Sequence, residues 1–329
     1  MQHLTRRFIC ILITCMVLVL MYLWDRKFLD LNGLYVPKTK NADRRAKDMD
    51  ISGILKQKYH WDKVPGEWLE TMKRRRQMLF QMCKDQNETI RPGAPVEVKK
   101  HPIPDRTFVE DIYQIVLCPM AKAASKTWLK IYFKLNKQMN TSALHNDWIS
   151  GHLIHVHNLN KYTEFGINTR LNTYLKIMTV RHPMIRLVSV YHEQVAPHGS
   201  QFERYVKRFI EKTEGRKIQS VTFEDFLRYA IQTPNMHWDP FIKFCDPCHI
   251  DYDLLIYFET LADDAKNTLI LLGADDMIKL PPSHRADKMS ADDEARKHYD
   301  GVDRELLKRV IAMYGIEEKY FGYNLSLFS

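Results

Sequence analysis

The chain has 329 residues, 45% of them hydrophobic, with 49 Lys and Arg against 40 Asp and Glu for a net charge of +9. That length holds one large domain plus appendages, and the hydrophobic share is enough for a sizeable core. The positive balance points to anionic partners and leaves nucleic acid open until the N-terminus is read.

The first feature along the chain is an uncharged run from Phe8 to Trp24, FICILITCMVLVLMYLW. At the helical rise it spans about 26 Å, enough for a thin bilayer. A cleaved signal peptide would carry a shorter apolar stretch ending in small residues. This run instead ends in Met21, Tyr22, Leu23 and Trp24. Arg6 and Arg7 precede it, while Asp25, Arg26, Lys27 and Asp30 nearly cancel after it. The flanking charge predicts a cytoplasmic tail at 1–7, a signal-anchor helix at 8–24 and a lumenal remainder, a single-pass type II arrangement. A lumenal address argues against nucleic acid as a partner and favours glycans.

Residues 25–105 read as a lumenal stem, with dispersed charge and a Pro-rich end. Within it Trp68, Met72, Leu79 and Met82 have helical spacing over 68–83. Arg74, Arg75 and Arg76 read there as a solvated face, with contact to a polyanion as the alternative. From residue 106 onward strands and helices alternate. Tyr113–Cys118 (YQIVLC), Tyr174–Val180 (YLKIMTV) and Leu254–Phe258 are apolar runs that read as buried strands. Helices are predicted at Ser125–Lys137, from Pro183 through Tyr191, at Phe223–Ile231 and at Leu306–Tyr314. Strands separated by helices predict an α/β domain over 106–329, three layers around a central parallel sheet.

Cys83, Cys118, Cys245 and Cys248 would face an oxidising lumen, and sequence leaves their three possible pairings open. Cys245-Asp-Pro-Cys248 has no second ligand pair at matched spacing, so no metal is expected. Asn87-Glu-Thr, Asn140-Thr-Ser and Asn324-Leu-Ser are acceptor triplets for N-glycosylation.

Two segments carry the chemistry. The first, Cys118-Pro-Met-Ala121-Lys122-Ala123-Ala124-Ser125-Lys126-Thr127-Trp128, lies between a predicted strand and a predicted helix. A helix start offers N–H groups and partial positive charge to an anion. Lys122 adds a full charge, and Ser125 and Thr127 add donors. No glycine occurs between Gly93 and Gly151, so the Walker pattern is absent, which weighs against an ordinary kinase or NTPase. The second segment runs Val180-Arg181-His182-Pro183-Met184-Ile185-Arg186-Leu187-Val188-Ser189-Val190-Tyr191. An arginine fork at a strand end suits a terminal phosphate, and a serine hydroxyl can add a bond. Each segment alone also reads as plain structure: a capped helix with a surface lysine, and a loop-closing arginine with a core serine.

Together the segments resemble the 5′-phosphosulfate and 3′-phosphate motifs of sulfotransferases. The pattern is similar to the Golgi carbohydrate sulfotransferases that include chondroitin, dermatan and N-acetylgalactosamine 4-O-sulfotransferases. That family shows PK-x-x-C-[TS]-x-W and R-[DE]-P-[FW]-x-R-L-[VL]-S-[AS]-Y. A third block, His237-Trp238 through Cys245-Asp-Pro-Cys248 to Tyr252-Asp253, looks like the family's HW…LCxPCxxxYD stretch. The resemblance covers about 72–325. It implies a P-loop-like sulfotransferase domain, the donor phosphoadenosine phosphosulfate (PAPS), a glycan acceptor and a Golgi membrane address. It places Ala121 to Thr127, Arg181, Pro183, Arg186 and Ser189 at the donor. Ala121, Ser125, Lys126, His182 and Met184 depart from the pattern, which puts the acceptor and the rate in doubt more than donor binding.

The resemblance further implies in-line displacement, with Lys122 steadying charge on the leaving oxygen. Histidine suits the base, and His155 and His157 precede the second motif much as a histidine pair does in heparan sulfate 2-O-sulfotransferases, with His157 preferred by spacing. His237 reads as a weaker candidate that packs with Trp238. The rival readings are an inactive lumenal glycan- or nucleotide-binding relative and a lumenal kinase.

Overall fold

The computed structural model describes residues 53–86, 96–136, 156–278 and 291–328. The expected tail and signal anchor at 1–24 lie outside them, as do His152, His155, Asn87 and Asn140. Among the described residues no helix is long and apolar enough to cross a membrane.

Two helices come first, α1 (Gly53–Lys58) and α2 (Gly66–Asp85). Strands β1 (Phe108–Glu110) and β2 (Ile115–Cys118) lead to α3 (Ser125–Leu135). Strand β3 (His157–Asn158) and α4 (Glu164–Thr173) precede β4 (Leu175–Val180) and α5 (Pro183–Val190). A single π-helical turn, Tyr191–Val195, extends α5. Then come α6 (Gln201–Glu214), α7 (Phe223–Ala230), the short α8 (Ile242–Cys245), β5 (Leu254–Tyr257), α9 (Leu261–Leu272), α10 (Ala291–Tyr299) and α11 (Arg304–Phe321).

The sheet order is β3-β1-β2-β4-β5. β2, β4 and β5 are parallel, whereas β1 pairs antiparallel with both β2 and β3. The expected parallel sheet is therefore corrected to a mixed one. A tight turn at Glu110–Gln114 returns the chain beside β1, and the buried Glu110 carboxylate accepts from Ile112 N (2.9 Å) and Tyr113 N (2.6 Å) to hold it. No crossover helix intervenes, so this pair can only be antiparallel.

Three layers are present. Side chains alternate across a strand, yet β2 and β4 are buried along their whole length. Val116, Cys118, Met178 and Val180 join one core with α5, α7 and α11. Ile115, Leu117, Leu175 and Ile177 join the other with α1, α3 and α9. Lys176 survives within β4 because its ammonium meets Asp253 at 2.8 Å.

Within the expected stem at 25–105, residues 53–86 pack against the sheet. Trp68 donates to Asp264 (3.0 Å), and Arg75 pairs with the same carboxylate at 2.7 Å while donating to Leu255 O at 2.9 Å. Arg76 meets Asp251 at 2.7 Å. Of the arginine triplet only Arg74 is exposed; its neighbours fasten α2 to the end of the sheet. Disulfides join Cys83 to Cys248 and Cys118 to Cys245. Both land on the turn before β5, so the helix and the end of β2 are tied to one point.

Candidate active site

The site begins where β2 and β4, hydrogen-bonded neighbours, end side by side. Anions bind beyond the carboxyl ends of parallel strands, where loops and helix starts offer donors. The loop 119–124 is shaped by two left-handed residues, Lys122 (φ 65°) and Ala124 (φ 61°). Only glycine takes this conformation freely, and for other residues it costs about 1–2 kcal/mol. Backbone N–H groups between alternating right- and left-handed residues converge into an anion-holding concavity. The turn thus takes the form of a phosphate loop without its glycines. Met120 N donates to Thr179 Oγ1 at 2.9 Å and Ala123 N to Met120 O at 3.1 Å, which pins the loop to β4. α3 then starts with no side chain capping it, so its first N–H groups point at the loop.

Ala121 and Ala123 are buried and can offer only backbone. Ser125 and Thr127 are half-buried on the first turn, and Lys126 is exposed. The Lys122 side chain is only 7% exposed. Burial lowers its pKa from the ordinary lysine value, Glu193 opposes this, and the charges of Arg181 and Lys126 add to the lowering.

From β4, Arg181 donates to Lys122 O at 2.9 Å and stacks on the Phe258 ring at 4.0 Å. It therefore braces the loop from beneath. Pro183 opens α5 at its first position, buried. Ser189, half-buried, faces the same side one turn before Glu193.

Arg186 stands apart. It is fully buried, donating to Asp239 O (2.8 Å) and to Glu317 (3.3 Å) with its guanidinium on the Phe241 ring at 3.9 Å. Burial raises the pKa of Glu317, and Arg186 counters it. The expectation that Arg186 contacts a donor phosphate is corrected: its charge closes the core and reaches no surface. A sequence pattern records both kinds of arginine alike.

Glu193, which sequence reasoning missed, links the two segments. Its carboxylate meets Lys122 Nζ at 2.8 Å and accepts from Ser189 Oγ at 3.3 Å. Burial pushes its pKa up, but Lys122 and Lys126 outweigh this and hold it below the usual carboxylate value. An anionic group thus already sits on the two side chains a phosphate or sulfonate would use. Glu193 belongs to the π-helical turn, a distortion frequent at functional sites. Its i+4 spacing from Ser189 was the available signal.

His157 lies on the edge strand, exposed, opposite Val109 of β1. Its backbone N donates to Tyr132 OH at 3.2 Å. It is level with the middle of β2 and two strands away from it, about 10 Å at the usual spacing. His237 is nearer the loop. Burial, then the charges of Lys122 and Arg106, push its pKa down to about 4, with Glu193 acting the other way. Arg106, also missed, donates to Pro119 O at 3.1 Å. Asn324 is exposed, its Oδ1 accepting from Ser326 N (3.1 Å) and Oγ (2.7 Å). Among the described residues no group of three or more His, Cys, Asp or Glu is placed to hold a metal.

A model of the sulfotransferase family matches residues 105–324. Carbohydrate sulfotransferase 10 of Rattus norvegicus is 28% identical over 303 residues, covering 84% of this chain and 80% of its own. Carbohydrate sulfotransferase 9 of Homo sapiens is 28% identical over 272 residues, 77% of this chain and 60% of its own. Carbohydrate sulfotransferase 11 of Rattus norvegicus is 27% identical over 274 residues, covering 75% and 77%. No solved structure matches. The matched stretch contains both strand ends, the loop and the disulfide-linked turn, and the chain belongs to the sulfotransferase family.

Proposed function

We propose that this chain is a carbohydrate O-sulfotransferase that uses PAPS as sulfonate donor and acts in the Golgi lumen as a single-pass type II membrane protein. The observation that carries the reading is the glycine-free loop, with Lys122 and Ala124 left-handed beside Arg181 and Ser189. Its donor set is that of a site for two anionic groups, which fits a nucleotide bearing a phosphosulfate and a separate phosphate. The relatives named above support a sugar acceptor. The favoured acceptor is a chondroitin- or dermatan-type N-acetylgalactosamine, on the motif resemblance alone.

In this reading the acceptor hydroxyl oxygen attacks sulfur, a new S–O bond forms, and the S–O bond to the donor phosphate breaks. The electron pair leaves on that phosphate oxygen, giving the bisphosphate nucleotide PAP. Lys122 and the start of α3 stabilise the growing charge in a partly dry setting, where such interactions are strongest. Arg181 keeps the loop in shape. Glu193 releases Lys122 and Ser189 when the donor's anionic groups arrive. Asn324 and its two partner triplets are the proposed glycan-bearing sites.

The test is transfer of labelled sulfonate from PAPS by the full-length chain in detergent to a panel of desulfated glycans. Label on one glycan supports the reading and names the acceptor. PAP binding without transfer to any member points to an inactive relative, and absence of both removes the proposal. Protection of the C-terminus from protease in sealed microsomes tests the topology.

A further inference from the structure

Sulfonate transfer leaves one proton to be placed, that of the attacking hydroxyl. The loop offers only cations, Glu193 is held by Lys122 and Ser189, and His157 stands at the sheet edge. We propose that His237 is the general base of the reaction, taking that proton on Nε2, with Gln194 as the residue that fixes its tautomer. The proposal rests on the sulfonate-transfer reading and adds a residue to it.

His237 is 115 positions from Lys122 in sequence, yet separate ties bring its segment to the loop. Arg106 spans the gap, donating to Pro119 O at 3.1 Å and touching the Met236 sulfur at 3.8 Å. The disulfide from Cys118 to Cys245 fastens the chain just beyond. Trp238, 1% exposed, anchors the backbone from the core side through Nε1 to Thr233 O at 2.8 Å. The ring of His237 is less buried than Trp238: it is half-buried and meets edge-on, at 5.8 Å, the same Phe202 ring that Trp238 meets at 5.5 Å. The neighbouring tryptophan is structural, and the histidine is left on the loop side.

Gln194 supplies the second argument. Its Nε2 stands 3.5 Å from His237 Nδ1, at the limit of a hydrogen bond, while its Oε1 is buried without a partner among the described residues. The two ends of an amide are assigned by the bonds they make. Turning this amide over places the orphaned Oε1 against Nδ1, where it accepts an N–H. The rotation gives the amide oxygen a partner, moves Nε2 to the place the oxygen held, and assigns the ring proton to Nδ1. The lone pair is then on Nε2. A base oriented by a hydrogen bond at its other nitrogen is the recurrent arrangement in general-base catalysis.

The charged groups acting on the ring are Lys122 and Arg106, which oppose its protonation, and Glu193, which favours it. The ring is therefore neutral, and able to accept a proton, at any pH above about 4 in the absence of donor. A bound polyanion neutralises Lys122 and raises the basicity of Nε2 as the reaction needs it. The step balances: the acceptor loses its proton to Nε2, the sulfonate moves to the acceptor oxygen, and the leaving phosphate oxygen keeps the electron pair.

The experiment compares the full-length parent with His237→Gln, His237→Ala and Gln194→Glu, measuring PAP affinity, kcat and its pH profile. Both His237 variants should bind PAP within about twofold of the parent while kcat falls about a hundredfold or more. The acid limb of the kcat profile should vanish with them. Gln194→Glu puts a carboxylate at Nδ1–H and should move that limb to higher pH, which a purely structural role would not do. A kcat within about threefold of the parent in both His237 variants overturns the proposal. So does a loss of rate that only tracks lost PAP affinity, or rate abolished in His157→Ala and kept in His237→Ala. A parent that neither binds PAP nor transfers sulfonate defeats the underlying reading instead.

Discussion

The loop 119–124 and the helix that begins at Pro183 both carry basic residues in a sulfotransferase motif, but the two regions hold their charge in opposite ways. The loop keeps Lys122 close beneath the surface, on a backbone bent through two left-handed non-glycine residues, with a carboxylate of the protein for company. The helix sends Arg186 into the core, where Glu317, the Asp239 carbonyl and the Phe241 ring leave it no exposure. Strain and shallow burial mark the region shaped for a ligand. Deep burial against a carboxylate partner marks the region that supports it. Arg181 lies between them, bracing the loop by its carbonyl rather than reaching past it.

The contrast can be broken by mutation. Arg186→Ala should have the largest effect, about 3–5 kcal/mol of stability, because Glu317 would lose its only ion-pair partner among the described residues while fully buried. Urea denaturation measures it; a stable Arg186→Ala chain that has lost only PAP affinity would put Arg186 back at the ligand. Lys122→Ala should do the reverse. Turnover with PAPS should drop on the order of 10²–10³-fold, the scale for one lost stabilising group, with little change in melting temperature. A large loss of stability there would make Lys122 a structural cation. The smallest effect sharpens the comparison. Ala124→Gly relieves the left-handed alanine and should stabilise by no more than about 1 kcal/mol after the added freedom of the unfolded chain is counted. Destabilisation in a thermal melt would mean that the left-handed turn carries no strain.

Much of the fold was legible because burial on both faces makes a strand read as an unbroken apolar run, as in IVLC and LKIMTV. β1 and β3 were missed because three and two residues are too few to show a period. Their loss cost the antiparallel half of the sheet. Helix α4 was missed because only Ile167 and Leu171 are buried along it, so no apolar stripe forms. In the site, the motif positions of Lys122, Arg181 and Ser189 could be read, but their neighbours could not. Arg106 and Glu193 meet the loop through tertiary packing, His237 could be read only as a weaker candidate, and the apparent stem packs against the sheet through Arg75 and Cys83, which look in sequence like a solvated charge and a cysteine of open pairing.

The disulfide pattern has a consequence for how the chain is made. Cys83 and Cys118 precede Cys245 and Cys248 in synthesis by more than a hundred residues, since the partners are separated by 165 and 127 positions. The two rings are nested, the Cys83 ring enclosing the Cys118 ring, so the inner bridge joins neighbouring cysteines and the outer one spans both of them. In an oxidising compartment the first two thiols to arrive are Cys83 and Cys118, and a bond between them is non-native. Either both are kept reduced until the Cys245–Cys248 turn emerges, or the early bond is exchanged by an isomerase. The two early thiols thus wait for partners that arrive almost together, the inner pair complete three residues before the outer.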